Sequence, residues 1–305
     1  MPFPEIHVLA ALPWEELSWR TVAPLLFFLS LLTAAGAQLT AALAEAAAGR
    51  KAFGQKYALQ VSQLAFWAAI PFCCLAPFFA PPTGDPGTPA GLILEISRRL
   101  PPVFWIIPAL IHRFSWAALR KHPSAHLCLG LLSIPCALAL LALPACLALQ
   151  SFSPCLAEAA GESRAVLAFF LPVLTHCLAL ALAAAASFCL PWLLLRRAAM
   201  DYGRDYYAFA LRAAAGQALA ATLAALATGA VLLAAHFPPC GSLVPYPIPA
   251  AAAGGLSLIC LILWGLILKS PSPLRHKLSA LLACLLFPAA AHAQFSALWR
   301  ALTAP

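Results

Sequence analysis

Eight stretches of about 20 or more mostly apolar residues, near 21–47, 57–81, 101–119, 125–149, 165–195, 206–236, 248–268 and 277–298, leave this chain little choice of environment. A helix rises about 1.5 Å per residue, so runs of this order match the roughly 30 Å hydrocarbon core of a bilayer. Of 305 residues, 63% are hydrophobic and 9% are charged, more apolar surface than a water-soluble core can hide. The reading is an all-α polytopic membrane protein with eight transmembrane helices, each satisfying its own backbone polar groups. The start, MPFPEIHVLAALPWEELSW, has no basic segment and places three glutamates ahead of the first arginine. Residues 1–20 are therefore expected to form an amphipathic helix on the membrane surface rather than a cleaved signal.

The charges orient the spans. Loops after the first, third, fifth and seventh stretches hold Arg50, Lys51, Lys56, Arg120, Lys121, Arg196, Arg197, Arg204, Lys269, Arg275 and Lys277. Loops after the second, fourth and sixth hold only Arg98, Arg99 and Arg164, with Asp85, Glu95, Glu158 and Glu162. The positive-inside rule makes the first set cytoplasmic and puts the N-terminus and C-terminus outside. In a soluble protein the net charge of +8 would raise a nucleic-acid partner. Here it sits in short loops between spans, and no nucleic acid is expected.

A pattern repeats. Phe53-Gly54-Gln55-Lys56-Tyr57 is echoed by Tyr202-Gly203-Arg204-Asp205-Tyr206 at an offset of 149, each leading from a cytoplasmic loop into the next span. SWAALRKHPS at 115–124 is echoed by LWGLILKSPS at 263–272 at an offset of 148, pairing Trp116 with Trp264, Lys121 with Lys269 and Pro123 with Pro271. Four spans per repeat is an even number, so an internal duplication gives two tandem four-helix bundles of the same orientation, residues 21–150 and 164–298.

This arrangement resembles subunit I of the cytochrome bd quinol oxidases, the haem-carrying subunit. LLLRRAAMDYGRDYYAFALRAAAGQALAATLAALATG is similar to that family's junction between helices five and six, and SWAALRKHPSAHLCLGLLSIPCALALLALP to its junction between helices three and four, including His126. The departures are as informative. The family's oxygen-reducing haem takes an axial histidine from the first helix, yet no histidine lies between His7 and His112. Its third helix supplies acids, whereas RRLPPVFWIIPALIHRFSW has none and carries Trp105 near one such position. Neither imidazole ligation nor proton uptake survives such replacements, so oxygen reduction is not expected and the first bundle should be a side-chain-filled shell. The family's quinol loop is reduced to HFPPCGSLVPYPIP, its low-spin haem methionine is missing near 251–254, and its ninth helix is not matched.

What the resemblance leaves is His176, comparable in place to the family's low-spin haem ligand and about 12 residues, roughly 18 Å, below the outer end of its span. An imidazole inside a bilayer is costly and is usually functional. Three roles are open to it: a ligand of haem b, a hydrogen bond to a neighbouring helix, or a contact to quinone or a proton. A second iron ligand would be His292, with His236 as the interfacial alternative, giving a bis-histidine low-spin site. His112 and Arg113 near the cytoplasmic end of the third span could meet a haem propionate or quinone, or Arg113 could snorkel to headgroups. His122, His126 and His276 are expected as solvated or helix-end residues, and Asp201, Arg204 and Asp205 as a structural cap. The cysteines form no C-x-x-C pair, although Cys155 and Cys240, both in outer loops, could join as a disulfide.

No phosphate-binding loop, nucleophile elbow or zinc-protease motif is present. The expected function is a membrane subunit of a respiratory electron-transfer complex in the bacterial cytoplasmic (inner) membrane, not a catalytic oxidase by itself. It would carry haem b or contact quinone, and its partners would be other membrane or outer-face subunits such as cytochromes. The alternatives are a non-redox scaffold without cofactor and a transporter, the latter disfavoured by the near absence of midplane carboxylates.

Overall fold

The computed structural model describes residues 19–48, 51–75, 102–116, 118–119, 122–160, 162–236 and 247–303. Among them are eight α-helices and no strand: α1 (Trp19–Ala48), α2 (Ala52–Leu75), α3 (Pro102–Ser115), α4 (Pro123–Ala160), α5 (Glu162–Ala199), α6 (Arg204–His236), α7 (Pro247–Lys269) and α8 (Lys277–Thr303), with a 3-10 turn at Pro273–Arg275. Runs of alanine and leucine are strong helix formers. Proline stands at the first position of α3, α4 and α7, where its missing N–H costs nothing. Seven helices are long and apolar enough to cross a membrane, so this is a multi-pass helical protein whose spans meet the lipid bilayer. The expected third span, 101–119, is the exception. Its described helix, α3, has 14 residues, roughly 21 Å, and the chain turns at Trp116. The expected surface helix at 1–20 falls outside the described residues except for its last two.

Helix α1 is the centre of the molecule. Residues 29–42 are buried on every side. It packs against α2, α4 and α5; α3 lies between α2 and α4; α5 packs against α6 and α8, and α7 against both of those. Small residues set the spacing. A Cβ on Gly36 would stand 1.9 Å from the Ala181 carbonyl oxygen, so α1 and α5 touch backbone to backbone. Ala181 and the run Ala183–Ala186 line the same seam. Polar side chains of α1 are absorbed by carbonyls: Thr40 donates to Gly36, and the Gln38 amide donates to Ser133 on α4.

The first sequence echo acquires a structural role. Tyr57 and Tyr206, paired at the offset of 149, are both buried, and the two motifs meet. Phe53 packs edge-on to Tyr206 with ring centroids 5.8 Å apart, and the Lys56 ammonium lies 4.8 Å over the Tyr202 ring. Gly203 takes φ of +88°, a left-handed turn that favours glycine, and its N–H is held by the Asp201 carboxylate at 2.9 Å. Asp201 is thus structural, as expected. The second echo is looser. The connection between α3 and α4 spans 116–122 and that between α7 and α8 spans 270–276, so the turns are 154 residues apart rather than 148. Trp264 is fully buried inside α7, whereas Trp116 follows the end of α3.

Candidate functional site

Three helix ends converge on one polar cluster. Glu45 lies three residues before the end of α1, His112 three before the end of α3, and His126 three after the start of α4. All three are buried, at 7%, 3% and 3% exposure. His112 Nε2 is 2.9 Å from Glu45 Oε2, and His126 Nδ1 is 2.6 Å from Glu45 Oε1. The His126 Nε2–H donates to the His112 backbone carbonyl at 2.9 Å. The two imidazole rings lie 4.5 Å apart between centroids, and Trp116 closes the far side of His126 edge-on at 4.7 Å. On α4 the ring of His112 presses against Gly130: a Cβ there would come within 2.9 Å of Nε2.

The bonding pattern fixes where protons reside. A carbonyl only accepts, so His126 Nε2 carries a hydrogen. Its Nδ1 is then either protonated beside an ionised Glu45 or bare beside a protonated one. In both cases one proton lies between the two atoms, and the cluster as a whole is neutral when His112 donates from Nε2. A lone carboxylate in an apolar bundle carries a large desolvation cost, and this arrangement removes it.

Two expectations are refined here. His126 is at a helix end but not solvated, being a buried partner of Glu45, and the side chains that fill the first bundle include a buried carboxylate and two imidazoles. Glu45 was the missed signal. It lies inside the first apolar stretch, where a carboxylate is a functional candidate by default.

His176 on α5 is 4% exposed and sits in the other half of the chain. Its Nδ1 lies 3.0 Å from the Thr228 hydroxyl on α6. That hydroxyl has one hydrogen, directed at the Ala224 carbonyl 2.8 Å away, so it accepts from Nδ1–H. Nε2 therefore presents a lone pair, and it is buried with no hydrogen-bond partner among the described residues. Gly229 brings α6 against the ring, since a Cβ there would stand 3.2 Å from Cε1. A ring nitrogen fixed by an outer hydrogen bond, with the opposite lone pair free and dry, is the state of an imidazole prepared for a ligand.

The other expected residues are dispersed. His292 lies on the exposed face of α8 with Leu278, Leu282 and Leu285, and shares no buried face with His176. His236 is the last residue of α6, and its side chain lies outside the described residues. Arg113 is half-buried, its guanidinium 5.8 Å from the Phe114 ring centroid, while its neighbour His112 turns inward to Glu45. His122 is exposed and His276 half-buried. The Cys155–Cys240 pairing falls outside the described residues. Set against known protein families, characterised proteins and solved structures, the chain matches none.

Proposed function

We propose that this chain is a membrane subunit of a respiratory electron-transfer complex, built on the plan of subunit I of the cytochrome bd quinol oxidases without its oxygen-reducing centre. In this reading α1–α4 and α5–α8 are two tandem four-helix bundles in a bacterial cytoplasmic membrane, with both termini outside. The closed order of helix packing within each set of four supports that plan, as does the meeting of the two echoed motifs through Phe53, Lys56, Tyr202 and Tyr206.

One observation carries the redox assignment: the buried, unpartnered Nε2 of His176, its tautomer fixed by Thr228. Such a lone pair accepts either a haem iron or the hydroxyl hydrogen of a quinol. Bound haem b would supply one-electron exchange. His176 is oriented for it, whereas His292 faces outward on α8. The partners in this reading are further membrane or outer-face subunits, cytochromes among them.

The test is the reduced-minus-oxidised spectrum, with solvent extraction of quinone, of the full chain purified in mild detergent, beside His176→Ala. A b-type spectrum, or co-purifying quinone, that is lost in the variant supports the assignment. Absence of both from the wild type, or their survival in the variant, rejects it in favour of a scaffold without cofactor. A transporter reading gains from Glu45, a buried carboxylate inside a span of the kind that binds coupling ions.

A further inference from the structure

We propose that Glu45, His112 and His126 form a binding site for one divalent first-row transition-metal cation of the zinc or ferrous class. The inference does not rest on the redox reading, which concerns His176 in the other half of the chain. The donor set is the first argument. One carboxylate and two imidazoles suit zinc, ferrous iron and their neighbours, whereas magnesium and calcium prefer oxygen alone. Their donor atoms all lie within 4.8 Å of one another. Donors about 2.0–2.2 Å from a common centre stand roughly 2.8–3.6 Å apart, so the two nitrogen–oxygen separations, 2.9 and 2.6 Å, must open by about 1 Å or less, through side-chain rotation, to admit a cation.

Orientation is the second argument. The His126 Nε2–H is tied to the His112 carbonyl, which leaves Nδ1 as the only nitrogen able to ligate and aims it at Glu45. This is the outer hydrogen bond that metal-binding histidines use to fix their tautomer. His112 Nε2 is aimed at the same carboxylate. Gly130 is the third. With any side chain at 130 the Cβ would come within 2.9 Å of His112 Nε2 and 3.6 Å of Glu45 Oε2, so the missing Cβ keeps the converging atoms free to move. The proton between Glu45 Oε1 and His126 Nδ1 occupies the cation's place. On binding it departs to solvent, the His112 hydrogen passes from Nε2 to Nδ1, and Glu45 Oε1, His126 Nδ1 and His112 Nε2 give their lone pairs to the metal. Three protein ligands leave a coordination position open, the pattern of a site that exchanges its ion or acts on a substrate rather than of a closed structural one.

The experiment uses the full chain, carrying a streptavidin-binding tag because a polyhistidine tag would itself bind metal, purified in detergent without chelator. It is loaded with Co2+ or Zn2+, and the metal retained after gel filtration is measured. The wild type should retain about one ion per chain and, with Co2+, show visible ligand-field absorption. Glu45→Gln and His126→Asn should each weaken binding more than tenfold and abolish that absorption, and His122→Ala should match the wild type. Gly130→Ala keeps every ligand but crowds His112, and should also weaken binding. It serves as the second variant should the ligand substitutions misfold. No retained metal in the wild type, or equal retention and absorption in Glu45→Gln or Gly130→Ala, overturns the proposal and leaves the cluster as a hydrogen-bonded pin between helices.

Discussion

The two halves of the chain share a helix order and an aromatic-glycine motif, yet place their chemistry at opposite depths. In the first half Glu45, His112 and His126 lie one helical turn from the ends that carry the basic loops. In the second half His176 is 23 residues from the corresponding end of α5, and, levelled on the Gly36–Ala181 contact, it and Glu45 differ in depth by about 14 residues, roughly 21 Å. Neither is repeated. At the offset of 149, Glu45 falls on Leu194 and His176 on Phe27, both apolar. What recurs is what the scaffold needs, a tyrosine at the foot of a helix and small residues where helices touch, while each half carries its own polar centre. The first is closed, every donor met. The second is open, with one lone pair left over.

The largest effect should come from the seam between the halves. Gly36→Val forces side-chain atoms into the Ala181 carbonyl, which backbone on both sides prevents from yielding. Destabilisation of about 4 kcal/mol or more is expected, read as loss of folded protein in denaturant-melt or detergent-stability assays. A variant as stable as the wild type would show that α1 and α5 do not pack as described.

Within the first half, Glu45→Ala should cost about 3–5 kcal/mol, because two buried imidazoles lose their common partner and a proton its place. His176→Ala in the second half should cost less than half of that, since it removes one neutral hydrogen bond and some packing. Unfolding curves that rank these two variants the other way would break the contrast between a closed and an open centre.

The tyrosines separate sequence likeness from structural equivalence. The Tyr206 hydroxyl donates to Gln60 Oε1 at 2.8 Å, and Gln60 in turn accepts from the Trp192 indole through its carbonyl at 3.0 Å, tying α2 to α5 and α6. Tyr57, its echo, is equally deep, but its hydroxyl meets the Cys189 thiol, a weak hydrogen-bond partner. Tyr206→Phe should therefore cost about 1 kcal/mol and Tyr57→Phe less. Equal losses would mean that the two motifs perform the same task.

Much of this fold is legible in the sequence because hydrophobic length and loop charge are strong signals. The helices, their order and most of their ends follow from apolar stretches and basic turns. The third stretch is matched over fewer residues, Pro102–Ser115, because the described helix ends at a turn at Trp116. Site residues were harder. His176 stood out as an imidazole alone in a long apolar stretch, but its ligand-ready tautomer depends on Thr228, 52 residues away. The Glu45 cluster joins residues 67 and 81 positions apart, each near a helix end, where charge is ordinarily solvated. Only packing reveals that these ends are dry.

The smallest expected effect tests that tautomer. Thr228→Val keeps the shape of the side chain but removes the acceptor for His176 Nδ1–H, with a stability cost of about 1 kcal/mol or less. The consequence lies in the proton. With the hydroxyl gone, nothing on that side chain holds the hydrogen on Nδ1, and Nε2, no longer obliged to stay bare, can carry it instead. Nitrogen-15 resonances of histidine-labelled protein should assign wild-type His176 as protonated at Nδ1 alone, and the variant as a mixture of tautomers. His126, whose Nε2–H is fixed by a carbonyl on a different helix, should be unchanged in the same spectra. If wild-type His176 carries its hydrogen on Nε2, then the lone pair is not the one offered to a ligand, and the open centre of the second half is closed by a partner still to be found.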